Sequence, residues 1–515
     1  MKKGVCLSLL ITLCFCSLSV TAKSTDIEAM YSYRYFFKPA GEWLGDPMPV
    51  TFDQTHYLFY LLDNRNGTSG VHPVALAVTN DLVSYNDLGV QVNYGYSFQR
   101  DYGIGTGSVV EKDGIYYMYY TGHNQFLPYK GPLEVIMRAT SSDQMQTWQK
   151  DDDFLLFAPD NYNVNEWRDP YVFYNSEVDE YWMLVATRKG KTTSQTAGVI
   201  ALFASSTLNT WEHRGIFYEP NTCFVAECPQ LMQIGSKWYL LYNEFLLTNF
   251  SGVYSDSAGP AHYAVADSSY GPFVSPTNDT FDSRAYAAVK MFGNNSSGFF
   301  TVGWVPTREN HSNRGFWGWG GNAVVHSLTQ QPDGSLSVNA PAALLQQFSK
   351  PQLLEEKQIL KGEVVKKNNI FFLDSQSAVR LGVCPERFRI DVKITIEEGT
   401  QDAGMLFCLS DNGSTNGAMY IRLDAKKQWL RFDAVNSRNL SFVTPMCFRP
   451  MELRTGQSYD LTVIAEGSVL CVYVENSLAM SVRMYGLFNS GWGLFCGPGS
   501  SQFSELQLLL PEENL

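Results

Sequence analysis

The chain has 515 residues and a formal net charge of −13, and charged residues make up only 17% of it. This balance offers no basic surface for phosphate backbones or anionic lipids, so nucleic acid is excluded as an expected partner. The length and the 45% hydrophobic content predict two domains, each with its own core. The aromatic content of 14% suits β-strands and also stacking against sugar rings.

Residues 1–22 have the pattern of a secretory signal peptide. Two lysines precede an apolar run that ends near Val20, and Ala22 closes a small-residue exit. The run is too short to span a membrane, and no later segment is long enough, so we predict a secreted or periplasmic protein without a membrane span. A lipid anchor at Cys14 or Cys16 is an alternative, but neither cysteine follows a small residue.

Seven cysteines follow residue 22, an odd number that leaves at least one free thiol in an exported protein. They form no CxxC pair, and the histidines lack the HxxxH spacing of a zinc site. We therefore predict no catalytic metal and no cofactor.

Between residues 23 and 340, short aromatic strands recur about every 60 residues. They start at Tyr57, Tyr116, Tyr181, Trp238 and Phe299, which are 59, 65, 57 and 61 residues apart. Polar turns separate the strands and no helical pattern intervenes, so the repeat predicts the five blades of a β-propeller. A pair of β-sandwiches with coincidental spacing is the alternative.

The pattern changes after the repeats. Residues 341–358 are predicted as a linker with one helical turn. Beyond it, segments such as 388–396 and 459–464 alternate apolar and polar residues, which is typical of strands with one buried face. The predicted fold class is therefore all-β, a five-bladed β-propeller over 23–340 followed by a β-sandwich over 359–515. The plain alternation favours a structural role for the second domain over a separate sugar-binding module.

Three acids share one position in the repeat. Asp46, Asp169 and Glu227 lie 11, 12 and 11 residues before the aromatic strands of their repeats, and Gly105 takes this position in the second repeat. The position begins the innermost strand of a blade, so the three carboxylates are expected to meet at one end of the central channel. Crowded and desolvated carboxylates raise the pKa of at least one member toward that of a general acid. Glycoside hydrolysis uses such a pair of carboxyl groups.

Each acid also has an ordinary structural interpretation. Asp46-Pro47 and Asp169-Pro170 are common turn dipeptides, and Glu227-Cys228 carries little information alone. The shared position favours catalysis, because turn chemistry does not require an acid at equivalent places in three repeats.

Four motifs resemble those of glycoside hydrolase family 32, which contains the invertases, inulinases and levanases. They are Trp43-Leu-Gly-Asp46-Pro47, Gly105-Thr-Gly-Ser108, Arg168-Asp169-Pro170 and Glu227-Cys228-Pro229, in this order and spacing. The resemblance covers nearly the whole chain after residue 22, and it too implies a five-bladed propeller followed by a β-sandwich. It implies that Asp46 is the nucleophile, Glu227 the general acid and base, and Asp169 a transition-state stabiliser, with retention of configuration.

The same resemblance implies three substrate-binding residues. Arg168 would orient Asp169 or Glu227, Trp43 would stack on a sugar ring, and Thr106 would contact a hydroxyl. Two motifs depart from the family.

The family usually has Asn-Asp-Pro-Asn-Gly where this chain has Gly45-Asp-Pro-Met-Pro49, and Phe-Ser where it has Gly105-Thr106. These departures indicate an altered sugar pocket around retained acids.

The sequence thus predicts a secreted, retaining glycoside hydrolase that cleaves β-fructofuranosidic bonds in fructans or sucrose-like oligosaccharides. One alternative is a hydrolase of another furanoside, such as an arabinofuranosidase resembling family 43, which the altered first motif permits. Another is a carbohydrate-binding protein without turnover, which the three retained acids oppose because a crowded acidic cluster reduces stability. No pattern in the sequence indicates an oligomeric state.

Overall fold

The computed structural model describes residues 31–64, 71–127, 131–190, 192–246, 258–354, 358–410, 415, 417–434 and 446–512. The predicted signal peptide and the two cysteines considered for a lipid anchor lie outside these residues. Strands dominate the described chain, in which the only helical elements are a short α-helix and a 3₁₀ turn, and this confirms the predicted all-β class. No helix in this part of the chain is long and apolar enough to cross a membrane.

The first part of the chain contains five successive groups of antiparallel strands. The first group is β1 (Trp43–Phe52), β2 (Thr55–Asp63), β3 (Val74–Thr79) and β4 (Asn86–Val92). The second is β5 (Gly103–Lys112), β6 (Ile115–His123), β7 (Glu134–Ser141) and β8 (Gln149–Leu156). The third is β9 (Tyr162–Asn175), β10 (Glu180–Lys189), β11 (Gly198–Ser205) and β12 (Glu212–Tyr218).

The fourth group is β13 (Val225–Ile234), β14 (Lys237–Phe245) and β15 (Ala258–Ala266). The fifth is β16 (Ala287–Asn294), β17 (Gly298–Arg308), β18 (Trp317–Gln330) and β19 (Leu336–Asn339), with a 3₁₀ turn at Glu309–His311. Strands pair in chain order within each group, and β1 also pairs with β18.

The first strands of the five groups lie side by side. β1 contacts β5, β5 contacts β9, β9 contacts β13, β13 contacts β16, and β16 contacts β1. These contacts form a closed circle of five first strands. Side chains from all five groups can therefore reach one common region.

Each of these first strands contains a β-bulge at an equivalent place. The pairing register shifts at 44–47 in β1, 105–107 in β5, 168–171 in β9, 227–230 in β13 and 287–290 in β16. A bulge adds one residue to a strand, bends it and redirects side chains. Asp169 and Cys228 lie in two of the bulges with φ of 58° and 50°, a left-handed conformation that is uncommon outside glycine.

The second part of the chain forms two antiparallel sheets that share one apolar core. One sheet contains β20 (Phe348–Gln352), β22 (Val364–Lys367), β23 (Ile370–Leu373), β25 (Arg387–Ile396), β30 (Gln457–Glu466), β31 (Val469–Val474), β32 (Leu478–Arg483) and β34 (Ser501–Pro511). The other contains β21 (Gln358–Lys361), β24 (Ser377–Val383), β26 (Asp402–Leu409), β27 (Met419–Asp424), β28 (Trp429–Ala434), β29 (Cys447–Pro450) and β33 (Gly491–Cys496). Alternate residues of β25 are buried, as its apolar–polar pattern predicts.

The segment 341–358 connects the two parts. It contains a short helix, Ala342–Gln346, and β20, which pairs with β34 of the C-terminal sheet. Residues 348–352 of this segment are therefore part of the C-terminal sheet structure.

Candidate active site

Asp46 lies in the bulge of β1 and holds two hydrogen bonds from other strand groups. The Thr106 hydroxyl donates to Oδ2 at 2.6 Å, and the Trp304 indole Nε1 donates to Oδ1 at 3.0 Å. Thr106 and Trp304 are 1% and 0% exposed, so both donors are held in place by packing. A carboxylate whose two oxygens both accept hydrogen bonds is stabilised in its ionised form.

Glu227 lies next to the bulge of β13 and pairs with the neighbouring predicted site residue, Arg168. The guanidinium donates from Nη2 and Nε to Oε1 at 2.9 and 3.2 Å, which leaves Oε2 outside this pair. Burial raises the pKa of Glu227 to about 8 although Arg168 opposes the shift, and the negative charge of Asp169 adds to it. Burial therefore favours the protonated form of Glu227.

Arg168 also contacts two acids that the sequence did not single out. Its Nη1 donates to Glu166 and, at 3.4 Å, to Glu134 Oε2, which also accepts the Trp167 backbone N–H at 2.6 Å. Burial acts to raise the pKa of Glu134, but Arg168 and hydrogen bonds outweigh it and the pKa is lowered. Glu134 is therefore an ionised anchor that fixes the position of Arg168 beside Glu227.

Asp169 is 4% exposed and lies between the other two acids in strand order. Its Oδ2 accepts the Cys228 backbone N–H at 2.9 Å, and its own N–H donates to the Thr121 hydroxyl at 2.9 Å. Burial raises the pKa of Asp169 to about 6, against the opposing effects of Arg168 and the Cys228 N–H. Hydrogen bonds and charges thus link Asp46, Asp169 and Glu227 into one cluster, which also contains Thr106 and Arg168.

Trp43 lies in β1 and is 8% exposed. The Lys38 ammonium is 4.7 Å and the Arg483 guanidinium 5.6 Å from its ring centroid, so cations pack against this indole. The contacts to the carboxylate oxygens of Asp46 come instead from Trp304 and Thr106. A sugar-stacking role for Trp43 stays a prediction.

The glycine at position 45 is explained by the ring of Trp319. A Cβ atom on Gly45 would lie 2.1 Å from the Trp319 ring, far inside contact distance. Trp319 stacks on His72 at 4.2 Å between centroids and lies 5.7 Å from Trp304, which contacts Asp46. An aromatic wall therefore fills the space that a larger residue before Asp46 would need.

Met48, the other departure of the first motif, has a packing role. It is 1% exposed, and its sulfur accepts the Gly107 backbone N–H at 3.1 Å. This contact joins β1 to β5 beside the bond between Asp46 and Thr106. Gly45 and Met48 thus each fit the packing around Asp46.

The family comparison agrees with the motifs. Residues 36–335, more than half of the chain, match the model of the glycosyl hydrolases family 32 N-terminal domain. The chain belongs to glycosyl hydrolase family 32. Among the described residues of this family 32 chain, no group of three His, Cys, Asp or Glu side chains is placed to hold a metal ion.

Curated relatives match this family 32 chain over part of their length. It is 24% identical over 227 residues to a β-fructofuranosidase, the insoluble isoenzyme CWINV2 of Arabidopsis thaliana, covering 41% of this chain and 36% of that protein. It is 25% identical over 223 residues to sucrose-6-phosphate hydrolase of Escherichia coli, covering 42% and 44%. The levanbiose-producing levanase of Bacillus subtilis is 27% identical over 231 residues, covering 41% and 40%. The chain spans less than half the length of these relatives.

Solved structures resemble the fold over nearly the whole chain. Sucrose-6-phosphate hydrolase from Lactobacillus gasseri superposes with a TM-score of 0.70 at 17% identity, covering 95% of this chain and 94% of that one. Exo-inulinase from Aspergillus awamori also gives a TM-score of 0.70, at 15% identity, covering 93% and 98%. The likeness extends through both the strand groups and the C-terminal sheets.

Proposed function

We propose that this family 32 chain is a retaining glycoside hydrolase that cleaves β-fructofuranosidic bonds in fructans or sucrose-like oligosaccharides. One observation carries the proposal: the carboxyl groups of Asp46 and Glu227 belong to one cluster but have opposite surroundings. Both carboxylate oxygens of Asp46 accept hydrogen bonds, whereas burial raises the pKa of Glu227 and favours its protonated form. A nucleophile and a general acid need this difference.

In the proposed mechanism, Asp46 attacks the anomeric carbon of the fructosyl unit while Glu227 donates its proton to the departing glycosidic oxygen. The products of this step are a covalent fructosyl ester on Asp46 and the released alcohol. Ionised Glu227 then takes a proton from water, whose oxygen attacks the same carbon and frees Asp46. Two inversions at one carbon give overall retention.

The remaining predicted residues have supporting roles in this proposal. Asp169 binds sugar hydroxyls and stabilises the positive charge of the oxocarbenium-like transition state. Arg168, fixed by Glu134 and Glu166, orients Glu227. Thr106 orients Asp46 through its 2.6 Å hydrogen bond, and Trp43 is the proposed stacking platform.

For the architecture we propose that the five strand groups close into a five-bladed β-propeller over 23–340. The circular order of contacts among the first strands supports this proposal. We further propose a linker over 341–358 and a β-sandwich over 359–515, supported by the shared core of the two C-terminal sheets. Residues 1–22 are proposed as the signal peptide of a secreted or periplasmic protein.

The proposal is tested by sugar release from sucrose, inulin, levan and arabinan with the purified chain from residue 23. Fructose release that Asp46→Asn abolishes, and that Asp113→Asn at an 84% exposed side chain retains, is the expected result. Free glucose in excess of fructose from sucrose would indicate transfer, the reaction named for a relative from Asparagus officinalis, 6(G)-fructosyltransferase. Activity on arabinan alone, or on none of the four, would contradict the proposal.

Retention is tested separately by proton NMR of the first product formed. Retaining chemistry releases β-fructofuranose before mutarotation. Early appearance of the α-anomer would show inversion and remove the nucleophilic role from Asp46.

A further inference from the structure

A lysine is buried next to the acid cluster. Lys290 lies at the end of the β16 bulge, pairs with Val302 of β17, and is 1% exposed. Its Nζ donates to the carbonyl oxygen of Pro229 at 3.0 Å and lies 5.4 Å from the centroid of the Tyr171 ring. The carbonyl accepts a hydrogen bond from the ammonium and the aromatic ring packs against it, but neither group carries a negative charge to compensate the positive one.

The charge of Lys290 is compensated by members of the cluster. The titratable groups that act on it are Cys228 on β13, Asp169 on β9 and Asp46 on β1, while Tyr171 of β9 lies against its ammonium. Burial lowers the pKa of Lys290, and Cys228, Asp169 and Asp46 act in the opposite direction. The cation and the two aspartates thus interact through a desolvated interior, where charges are only weakly screened.

Burial of this lysine lowers the free energy of unfolding unless neighbouring charges offset it. Taking an ammonium out of water is unfavourable, and removing one partner of a buried ion pair is also unfavourable because the other charge is left behind. The second cation of the cluster, Arg168, is bound by Glu227, Glu134 and Glu166. Arg168 also acts on Asp169 and is the stronger of the two cations there, so Lys290 adds to its effect on Asp169 and acts on Asp46 as well.

We propose that Lys290 is a positioning residue whose buried ammonium, held at the Pro229 carbonyl and the Tyr171 ring, stabilises the negative charges of Asp169 and Asp46. The proposal rests on the catalytic roles proposed above, and it adds a residue that lies outside the four motifs. Lys290 acts through the aspartates, without a proton transfer of its own. Its removal therefore changes the pH range of activity more than the maximal rate.

The kinetic test uses two neutral variants with different hydrogen bonding. Lys290→Met removes both the charge and the donor, whereas Lys290→Gln removes the charge and keeps a donor for the Pro229 carbonyl. In both variants the acidic limb of the kcat/KM–pH profile is expected to move to higher pH, by about half a unit to one unit, with the basic limb unchanged. Lys290→Arg should restore the wild-type limb, and Lys366→Met at an exposed lysine should leave the profile unchanged.

A uniform loss of rate with an unmoved acidic limb would overturn the proposal and leave Lys290 a packing residue. The same conclusion follows if Lys290→Gln has the wild-type profile and only Lys290→Met is impaired, because the hydrogen bond would then be its contribution. A cooperative melting transition at pH 7 shows that a variant is folded; its melting temperature is expected to fall, because the buried aspartates have lost a nearby cation.

A second readout does not depend on hydrolysis. The Trp304 indole donates to Asp46, so its fluorescence responds to protonation of the aspartates and is isolated by subtracting the emission of the Trp304→Phe chain. The midpoint of this signal should move to higher pH in both neutral variants, even if no fructoside is cleaved. If the midpoint does not move in the two neutral variants, the role of Lys290 is overturned. If the midpoint moves in these variants but the wild-type chain cleaves no fructoside, only the proposed function is overturned.

Discussion

At the scale of single residues, the cluster separates chemically similar carboxyl groups by their surroundings. Hydroxyl and indole donors stabilise the charge on Asp46, while burial favours the protonated form of Glu227. Asp169 lies between these cases, because burial raises its pKa while Arg168 and one backbone donor act in the opposite direction. The arrangement favours function at the expense of stability, because desolvated acids would be more stable as neutral residues.

The variant Asp169→Asn tests how much the buried carboxylate lowers the stability of the fold. The folded-state pKa of Asp169, about 6, lies above the ordinary value, so the folded chain binds more protons and the free energy of unfolding falls as pH rises from about 4 through 6. Asparagine lacks this titration and can still accept the Cys228 N–H. The variant should match the wild type near pH 4 and exceed it by on the order of 1–3 kcal/mol above pH 7.

Urea unfolding at the two pH values measures the difference. Asp113→Asn, at an exposed side chain, serves as the control and should show no such pH dependence. An equal effect of Asp169→Asn at both pH values would mean that Asp169 is not destabilised by burial.

The pair Gly45 and Trp319 allows a second test at this scale. A side chain at position 45 would collide with the Trp319 ring, so Gly45→Asn should lower the free energy of unfolding by about 1–3 kcal/mol and greatly reduce kcat/KM. Trp319→Ala removes the obstacle, so the double variant should regain stability relative to Gly45→Asn alone.

Melting temperatures and kcat/KM of the two single variants and the double variant give the coupling between the positions. Additive effects would show that the ring and the glycine are independent. In that case the absence of a side chain at position 45 would need another explanation.

At the scale of elements, the bulged first strands are the units that bring the site together. The bulge in β5 places Thr106 against Asp46, and the adjacent Gly107 lies close to β6. A Cβ on Gly107 would lie 2.0 Å from the backbone oxygen of Tyr119, an atom that cannot move without disturbing the sheet. Small residues at such points permit close approach of two backbones.

Gly107→Ala should therefore lower the free energy of unfolding by about 1–3 kcal/mol and reduce kcat through displacement of Thr106. Gly105→Ala in the same strand is the matched comparison, since its Cβ would lie 3.0 Å from the side chain of Thr121 and cause a smaller loss. Thermal unfolding and kcat of the two variants measure this order. A larger loss of stability and kcat in Gly105→Ala than in Gly107→Ala would show that Gly107 is not the point at which the two backbones need a glycine.

At the scale of the whole molecule, buried polar contacts join the strand groups to the C-terminal sheets. Arg483 of β32 donates to the carbonyl oxygens of Val305 and Pro306 at 2.9 and 2.8 Å. His326 of β18 contacts Tyr473 of β31 at 2.9 Å and Asp282 at 3.0 Å. These contacts are directional, so they specify how the two parts are placed as well as holding them together.

Glu466 joins the start of the described chain to the C-terminal sheets. Fully buried, it accepts the backbone N–H groups of Arg34, Tyr35 and Phe36 at 2.7, 2.8 and 2.9 Å and pairs with Arg387 at 2.8 Å. Glu466→Ala leaves these donors without an acceptor and should lower the free energy of unfolding by about 3–5 kcal/mol.

Guanidinium chloride unfolding and the rate of proteolysis within residues 31–37 measure the effect of Glu466→Ala. Glu452→Ala is the matched control, because its side chain is 69% exposed. Equal stability of the two variants would show that the N-terminal segment is held by its apolar contacts alone.

The sequence alone was enough to determine the all-β class and the recurrence of the strand groups, and it predicted related positions for Asp46, Asp169 and Glu227, which lie in or beside the bulges of three first strands. These features are periodic along the chain: alternation marks strands, and a fixed offset from each aromatic strand marks one place in each group. The motifs also identified the family, because Arg168-Asp169-Pro170 and Glu227-Cys228 retain its pattern.

Only the tertiary structure decided which other residues complete the site. Trp304 is 258 residues from Asp46 along the chain, and Glu134 and Lys290 have no periodic signal of their own. The need for Gly45 appears only when the ring of Trp319, from β18 of the fifth group, is placed beside it. Contacts between groups depend on how the five first strands pack around one region, and the spacing of residues along a single chain does not encode that packing.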